Sequence, residues 1–396
     1  MAKAFVADVD VAERRIFLRN DFNVPLDAGR ITDDTRIVAA LPTFHFLLER
    51  GARIVCASHL GRPKGEVIPD CTLAPVARRL GERLGRKVEF CTETVGARAE
   101  KAKGRLKPGQ VLLLENLRFH PGETQNDPAF AAALAQGIDL YVDDAFGACH
   151  RAHASIAEIT RHVALAAAGF LLKKEIDFLT LAADTPPAGY LVILGGAKVS
   201  DKLPLLKRLV EKADAMLIGG AMAKTFLKAE GMDVGASPVE DDQLDLCRDI
   251  RRRALERGVR FLLPVDHIAA TRIAPNITVR VIKPGEAIPP EMMGLDIGPE
   301  TVEAFRAEIA RARLIFWNGP MGVFEVDTFA GGTMAVAAAV AASSATTIIG
   351  GGDSAAAVAK AGVAGRISHI STGGGAALEF LAGDKLPGIE ALTEAK

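Results

Sequence analysis

The feature that most narrows the possible folds is a repeated unit. A short apolar run breaks at polar or glycine residues, and a stretch with helical spacing follows. In the first half such runs lie at Arg15–Arg19, Arg53–Ala57, Val111–Leu114 and Asp139–Val142. In the second half they lie at Tyr190–Leu194, Ala215–Ile218, Phe261–Val265, Leu314–Trp317, Thr346–Ile349 and Ile367–Ser371. Between the first runs, Ile37, Ala40, Leu41, Phe44, Leu47 and Leu48 keep helical spacing, with Thr32 to Asp34 as capping oxygens and Pro42 expected to kink the helix. Further helices are expected over Leu73–Leu84 and Lys173–Leu181. Strands alternating with helices predict an α/β fold of parallel sheets wrapped by helices, with ligands beyond the carboxyl ends of the strands. The break at Ala168-Gly169-Phe170-Leu171 places a domain boundary, giving domains over 1–168 and 169–385.

Composition excludes several functions. Residues 1–170 hold 23 Lys and Arg against 21 Asp and Glu, and the remainder 25 against 28, so neither half is a basic nucleic-acid surface. No stretch of about 18 apolar residues occurs, and the acidic N-terminus MAKAFVADVD is not a signal peptide, so no membrane partner is expected. Five cysteines with no C-x-x-C pair suit a reducing, cytoplasmic setting. Cys149-His150-x-x-His153 has faint metal spacing, but no second ligand cluster accompanies it, so no zinc site is expected.

The candidate site residues sit where the strands end. In the first half Arg62, Arg118 and Arg151 each follow a strand, with Arg36 at a helix start and Arg19 nearby as a further candidate. Guanidinium forks suit phosphate and carboxylate. Asp21 and Asn23 suit the hydroxyls of the same ligand, and His59 is either a phosphate donor or a structural hydrogen bonder. A small, hydroxylated polyanion is the expected ligand. In the second half LVILGGAKVSDK, residues 191–202, reads as strand, glycine turn and helix start, with Lys198 and Lys202 four apart on one helix face. Cations in a first helical turn oppose the helix dipole, which makes sense if a strong anion lies between them. Gly219, Gly220, Gly350, Gly351 and Gly352 add exposed backbone for a nucleotide, and Asp353 suits a Mg²⁺ ion bridging phosphates. There is no Walker A pattern. Gly350-x-Gly352-x-x-Ala355 fits a relaxed dinucleotide fingerprint, which keeps an NAD-dependent dehydrogenase as the alternative. A non-catalytic nucleotide-binding module is a second rival.

Taken together, these motifs resemble the phosphoglycerate kinase family. The matching stretches are Arg19-x-Asp21-Phe22-Asn23-Val24-Pro25, Ser58 to Pro63, Glu115 to His120, Ala145 to His153, Gly195 to Lys202, Trp317 to Glu325, Gly350 to Asp353 and Ser371 to Gly375, in the family's order. The resemblance implies two Rossmann-like parallel-sheet domains with a cleft and hinge. It implies reversible phosphoryl transfer between 1,3-bisphosphoglycerate and Mg-ADP, giving 3-phosphoglycerate and ATP, with Mg²⁺ as the metal. It assigns Asp21, Asn23, Arg36, His59, Arg62, Arg118 and Arg151 to phosphoglycerate, and Lys198, Lys202, Gly219, Gly220, Glu325, Gly350 to Asp353 and Ser354 to the nucleotide. Arg36 and Lys198 take the catalytic role and Asp353 the metal. It also implies that the C-terminal segment, about 386–396, returns to the first domain, and a monomer is expected. Departures from the family pattern are Asn20, Ala148-Cys149 and Lys224, the last where a neutral residue is common.

Overall fold

The computed structural model describes residues 3–395; Lys396, the last residue of the expected C-terminal segment, lies outside the described residues, as do Met1 and Ala2. The chain divides into two compact units, Met1–Asp177 with Lys385–Lys396, and Phe178–Asp384.

In the first unit the strands are β1 (Arg15–Asn20), a small hairpin β2 (Leu26–Asp27) and β3 (Arg30–Ile31), then β4 (Arg53–Ala57), β5 (Val88–Cys91), β6 (Val111–Leu114), β7 (Leu140–Asp144) and β8 (Ala166–Ala168). Six of them form a sheet in the order β5-β6-β4-β1-β7-β8, and every pairing in it is parallel. Both faces are covered, so the central strands are apolar throughout rather than alternating: Ile16, Phe17 and Leu18 are all buried. The helix Thr35–Glu49 runs unbroken through Pro42 and buries Ile37, Ala40, Phe44 and Leu47 against the sheet core. The last residues of the chain also belong here. Thr393 N donates to Ala166 O at 3.0 Å, and Gly388 N donates to Cys149 O at 2.9 Å. Helix Phe170–Ala183 starts from Asp144 at the end of β7, whose Oδ1 accepts from Leu171 N at 2.8 Å and Leu172 N at 3.1 Å.

The second unit contains β9 (Tyr190–Leu194), β10 (Ala215–Ile218), β11 (Arg260–Leu262), β12 (His267–Ala270), β13 (Arg280–Ile282), β14 (Met293–Ile297), β15 (Leu314–Asn318), β16 (Thr346–Gly350) and β17 (His369–Ile370). Its main sheet runs β11-β10-β9-β15-β16-β17, all parallel. Trp317 is buried in its core and donates Nε1–H to Gly319 O at 2.7 Å. A separate antiparallel sheet, β13-β12-β14, is absent from the sequence expectation. Asp266, just beyond the expected run Phe261–Val265, serves structure: it is buried and accepts from Glu300 N at 2.9 Å and Thr301 N at 2.8 Å, capping helix Pro299–Arg311. In both main sheets the order reverses beside the central strand, β1 or β9, which gathers the strand-end loops along one rim.

Candidate functional site

On the first unit, β1, β4, β6 and β7 deliver cations to a single rim. Arg36 Nη1 donates to Asp21 Oδ2, and the N–H of Asn23 donates to Asp21 Oδ1 at 3.2 Å. His59 Nε2 lies 3.9 Å from the same Oδ1. Asn23 Oδ1 accepts from Gly61 N at 2.9 Å, which ties the β1 loop to the β4 loop. The β6 loop joins them: buried Asn116 donates to Leu60 O at 2.7 Å, and Arg118 Nη1 donates to Gly61 O at 2.8 Å. Arg62 and Arg151 are exposed, and Arg151 Nε lies 3.0 Å from His150 Nε2.

Electrostatics make this rim a concentration of positive charge. Burial alone would raise Asp21, yet the charges of Arg36 and Arg19, with the Asn23 N–H, hold its carboxyl below the ordinary value. Burial, then Arg118, Arg19 and Arg151, push His153 down to about 4, so it stays neutral among cations. Burial and the neighbouring charges of Arg19 and Arg151 lower even Arg118, to about 10. Arg118 Nε and His153 Nδ1 are buried with no hydrogen-bond partner among the described residues. Arg118 Nε can only donate, and a buried donor without an acceptor is costly, by about 1–3 kcal/mol and more for a charged group. An oxyanion accepting from Arg118 would relieve that cost.

On the second unit the rim is backbone. The loops after β9, β10, β15 and β16 interlock: Gly195 N donates to Asn318 O at 2.9 Å, Gly196 N to Pro320 O at 3.0 Å, and Gly220 N to Met321 O at 2.9 Å. Asn318 Nδ2 donates to Gly350 O at 2.7 Å. Gly220 has φ +67°, and a Cβ there would lie 2.5 Å from Gly196 N, so only glycine fits. Lys202 Nζ donates to the Gly195 carbonyl and, at 3.0 Å, to Asn318 O. Burial lowers it to about 8, with Asp353 and Asp201 pulling the other way. Asp353 is exposed in the first turn of helix Gly352–Lys360. Lys198 and Glu325 are exposed on their loops.

A profile of the family described as phosphoglycerate kinase matches residues 6–384. The chain belongs to the phosphoglycerate kinase family. A phosphoglycerate kinase of Koribacter versatilis is 54% identical over 401 residues, covering 99% of this chain and 100% of the relative. One from Moorella thermoacetica is 54% identical over 397 residues, covering 100% of both. Among solved structures, phosphoglycerate kinase from Coxiella burnetii aligns with TM-score 0.91 at 39% identity over 98% of each chain. The Pyrococcus horikoshii enzyme aligns with TM-score 0.85 at 35% identity, again over 98% of each. The protein is therefore a kinase, a transferase of glycolysis, and nothing in these likenesses supports a dehydrogenase.

The fold brings Asp21, Asn23, Arg36 and Arg118 into one hydrogen-bonded network with His59 beside Asp21, and Gly219, Gly220, Gly350 and Lys202 into another. One sequence expectation changes within this phosphoglycerate kinase framework. Lys198 and Lys202 do not share a helix face: Lys198 is in the loop, Ser200–Lys202 is one 3-10 turn, and the α-helix begins at Leu203. The loop is held instead by Glu240, whose Oε2 accepts from Val199 N at 2.6 Å. Ser354 is buried and its Oγ accepts from Gly319 N at 2.5 Å, so it braces two loops of this rim. Sequence reading also passed over Ser155 and Glu123, buried behind the arginines; nothing in their spacing marks them.

Proposed function

We propose that this chain transfers a phosphoryl group reversibly between 1,3-bisphosphoglycerate and Mg-ADP, the first unit holding phosphoglycerate and the second the nucleotide. What supports the reading most is the rim of the first unit, where Arg118 keeps a buried donor without an acceptor among its neighbours. Arg62, Arg118 and Arg151 bind the phosphate of 3-phosphoglycerate; Asp21, Asn23 and His59 orient its hydroxyl and carboxylate. Lys202 and the Gly219–Gly220 and Gly350–Gly352 backbone take the nucleotide phosphates, and Glu325 also serves the nucleotide.

The attacking group is a phosphate oxygen in one direction and a carboxylate in the other. Neither must lose a proton, so the site needs no general base. Rate enhancement then comes from alignment and from cations aimed at the charge that develops on the moving group, the role of Lys198 and Arg36. Asp353 is the residue that would hold Mg²⁺, which supplies charge neutralisation of the phosphates when bound. One carboxylate beside a phosphate cradle fits this metal, which keeps most of its other ligands as water and substrate oxygen. Acyl phosphates hydrolyse readily, so the two units close over bound ligands to exclude water, bending about a hinge.

We place the enzyme in the cytoplasm as a monomer without nucleic-acid partners; no helix among the described residues is long and apolar enough to cross a membrane. The test is a coupled assay with 3-phosphoglycerate, ATP and Mg²⁺. ATP consumption that depends on all three is expected. No turnover, or reduction of NAD, would overturn the reading.

A further inference from the structure

Arg19, on β1, is fully buried, and its guanidinium is engaged on every side. Nε donates to Ser155 Oγ at 2.8 Å, Nη1 donates to the Asn20 carbonyl, and Nη2 lies 3.3 Å from His59 Nδ1. Glu123 Oε1, also buried, is 3.8 Å from Nη2 and supplies the counter-charge. Glu123 is itself fixed, accepting from Ser155 N at 3.0 Å and from Ser155 Oγ at 2.7 Å. The guanidinium therefore has little freedom to turn away from His59.

A guanidinium has donors and no acceptor. His59 Nδ1 must then accept, and a ring nitrogen that accepts carries no proton. The one proton of the neutral ring is left on Nε2, on the side of Asp21, 3.9 Å from Oδ1. We propose that Arg19 is a positioning residue that locks His59 as the neutral Nε2–H tautomer, so that the ring presents an N–H donor to an oxygen of the bound substrate. This rests on the reading that the first-unit rim holds phosphoglycerate. The charged and titratable groups facing His59 are Asp21, Arg19, Arg118 and Arg36. Burial first, then the three arginines, keep His59 well below its ordinary value, and Asp21 alone pulls the other way. The ring thus stays neutral at physiological pH, where only its tautomer is left to be chosen.

The test is ring-nitrogen NMR of the ligand-free full-length protein, labelled with ¹⁵N-histidine, with His59 assigned through His59→Gln. The wild type is expected to show a protonated Nε2 and a bare Nδ1 at neutral pH. In Arg19→Met both tautomers should appear, and the KM for 3-phosphoglycerate should rise several-fold while that for Mg-ATP holds. If Arg19→Met does not fold, the wild-type spectrum decides alone, and Ser155→Ala, which releases Arg19 Nε, should broaden or mix the His59 signals. A wild-type ring protonated at Nδ1, or on both nitrogens, overturns the proposal, as does an unchanged Nε2–H in Arg19→Met. The readout needs no substrate. An Nε2–H signal that ignores added 3-phosphoglycerate refutes the binding reading and supports the tautomer, whereas an Nδ1–H signal that responds refutes the tautomer alone.

Discussion

Lys224 gives the most quantitative prediction. It is buried on helix Met222–Ala229, and its Nζ lies 2.8 Å from His267 Nδ1. Burial lowers Lys224 from 10.5 to about 7, with Asp296 pulling the other way. Burial, then Lys224, hold His267 down at about 3, so it is a neutral acceptor. The unfolded chain binds the Lys224 proton more readily than the folded one. The resulting destabilisation is absent above about pH 10.5, grows as pH falls, and is complete below about pH 7. At about 1.4 kcal/mol per pH unit the full cost is roughly 5 kcal/mol, of which about 1 kcal/mol remains at pH 9.5. Lys224→Met removes that cost but leaves His267 Nδ1 buried without a donor, which costs about 1–3 kcal/mol. The net expectation is a gain of about 2–4 kcal/mol at pH 7 that vanishes or reverses by about pH 9.5. Urea melts followed by fluorescence of Trp317, the chain's single tryptophan and buried in the second unit, read this directly. A difference between variant and wild type that ignores pH, or a variant less stable at pH 7, would refute the reasoning.

Five further outcomes are expected. Lys198→Ala should lower kcat by about 10²–10³-fold, and Arg151→Ala should chiefly raise the KM for 3-phosphoglycerate, by about 10–100-fold; steady-state kinetics in the reverse pattern would overturn the roles. Lys202 loses its proton as pH rises through about 8, so Mg-ADP should bind about tenfold more weakly at high pH in the wild type and show no such slope in Lys202→Met, by calorimetric titration. Asp266→Ala removes the cap of helix Pro299–Arg311 and should cost about 2–4 kcal/mol in the same Trp317-detected melt. Small-angle scattering should show a smaller radius of gyration with both ligands than with either alone; equal radii would count against hinge closure.

Much of this was legible in the sequence because parallel strands buried on both faces read as continuous apolar runs. Arg53–Ala57, Val111–Leu114 and Ala215–Ile218 stand in the structure as read. What escaped depends on distant partners. Strand β8 is three alanines with no strand propensity of their own; it exists because β7 pairs with it and residues 4 and 393 bond to it. The short strand β5 is only half-buried, so it lacks the continuous apolar signature. The Lys198 loop mimics a helix start in spacing, yet Glu240, remote in sequence, takes its N–H groups. The arginines were visible one by one at strand ends. The Ser155 and Glu123 brace behind Arg19 was not, since it forms only when β7 is laid beside β1.

The most direct test is a crystal structure of the enzyme with 3-phosphoglycerate and Mg-ADP together. The substrate phosphate is expected against Arg62, Arg118 and Arg151, and the nucleotide phosphates against Lys202 and the Gly350–Asp353 loop. Either ligand bound away from these residues, with the arginines left facing solvent, would contradict the division of binding between the two units.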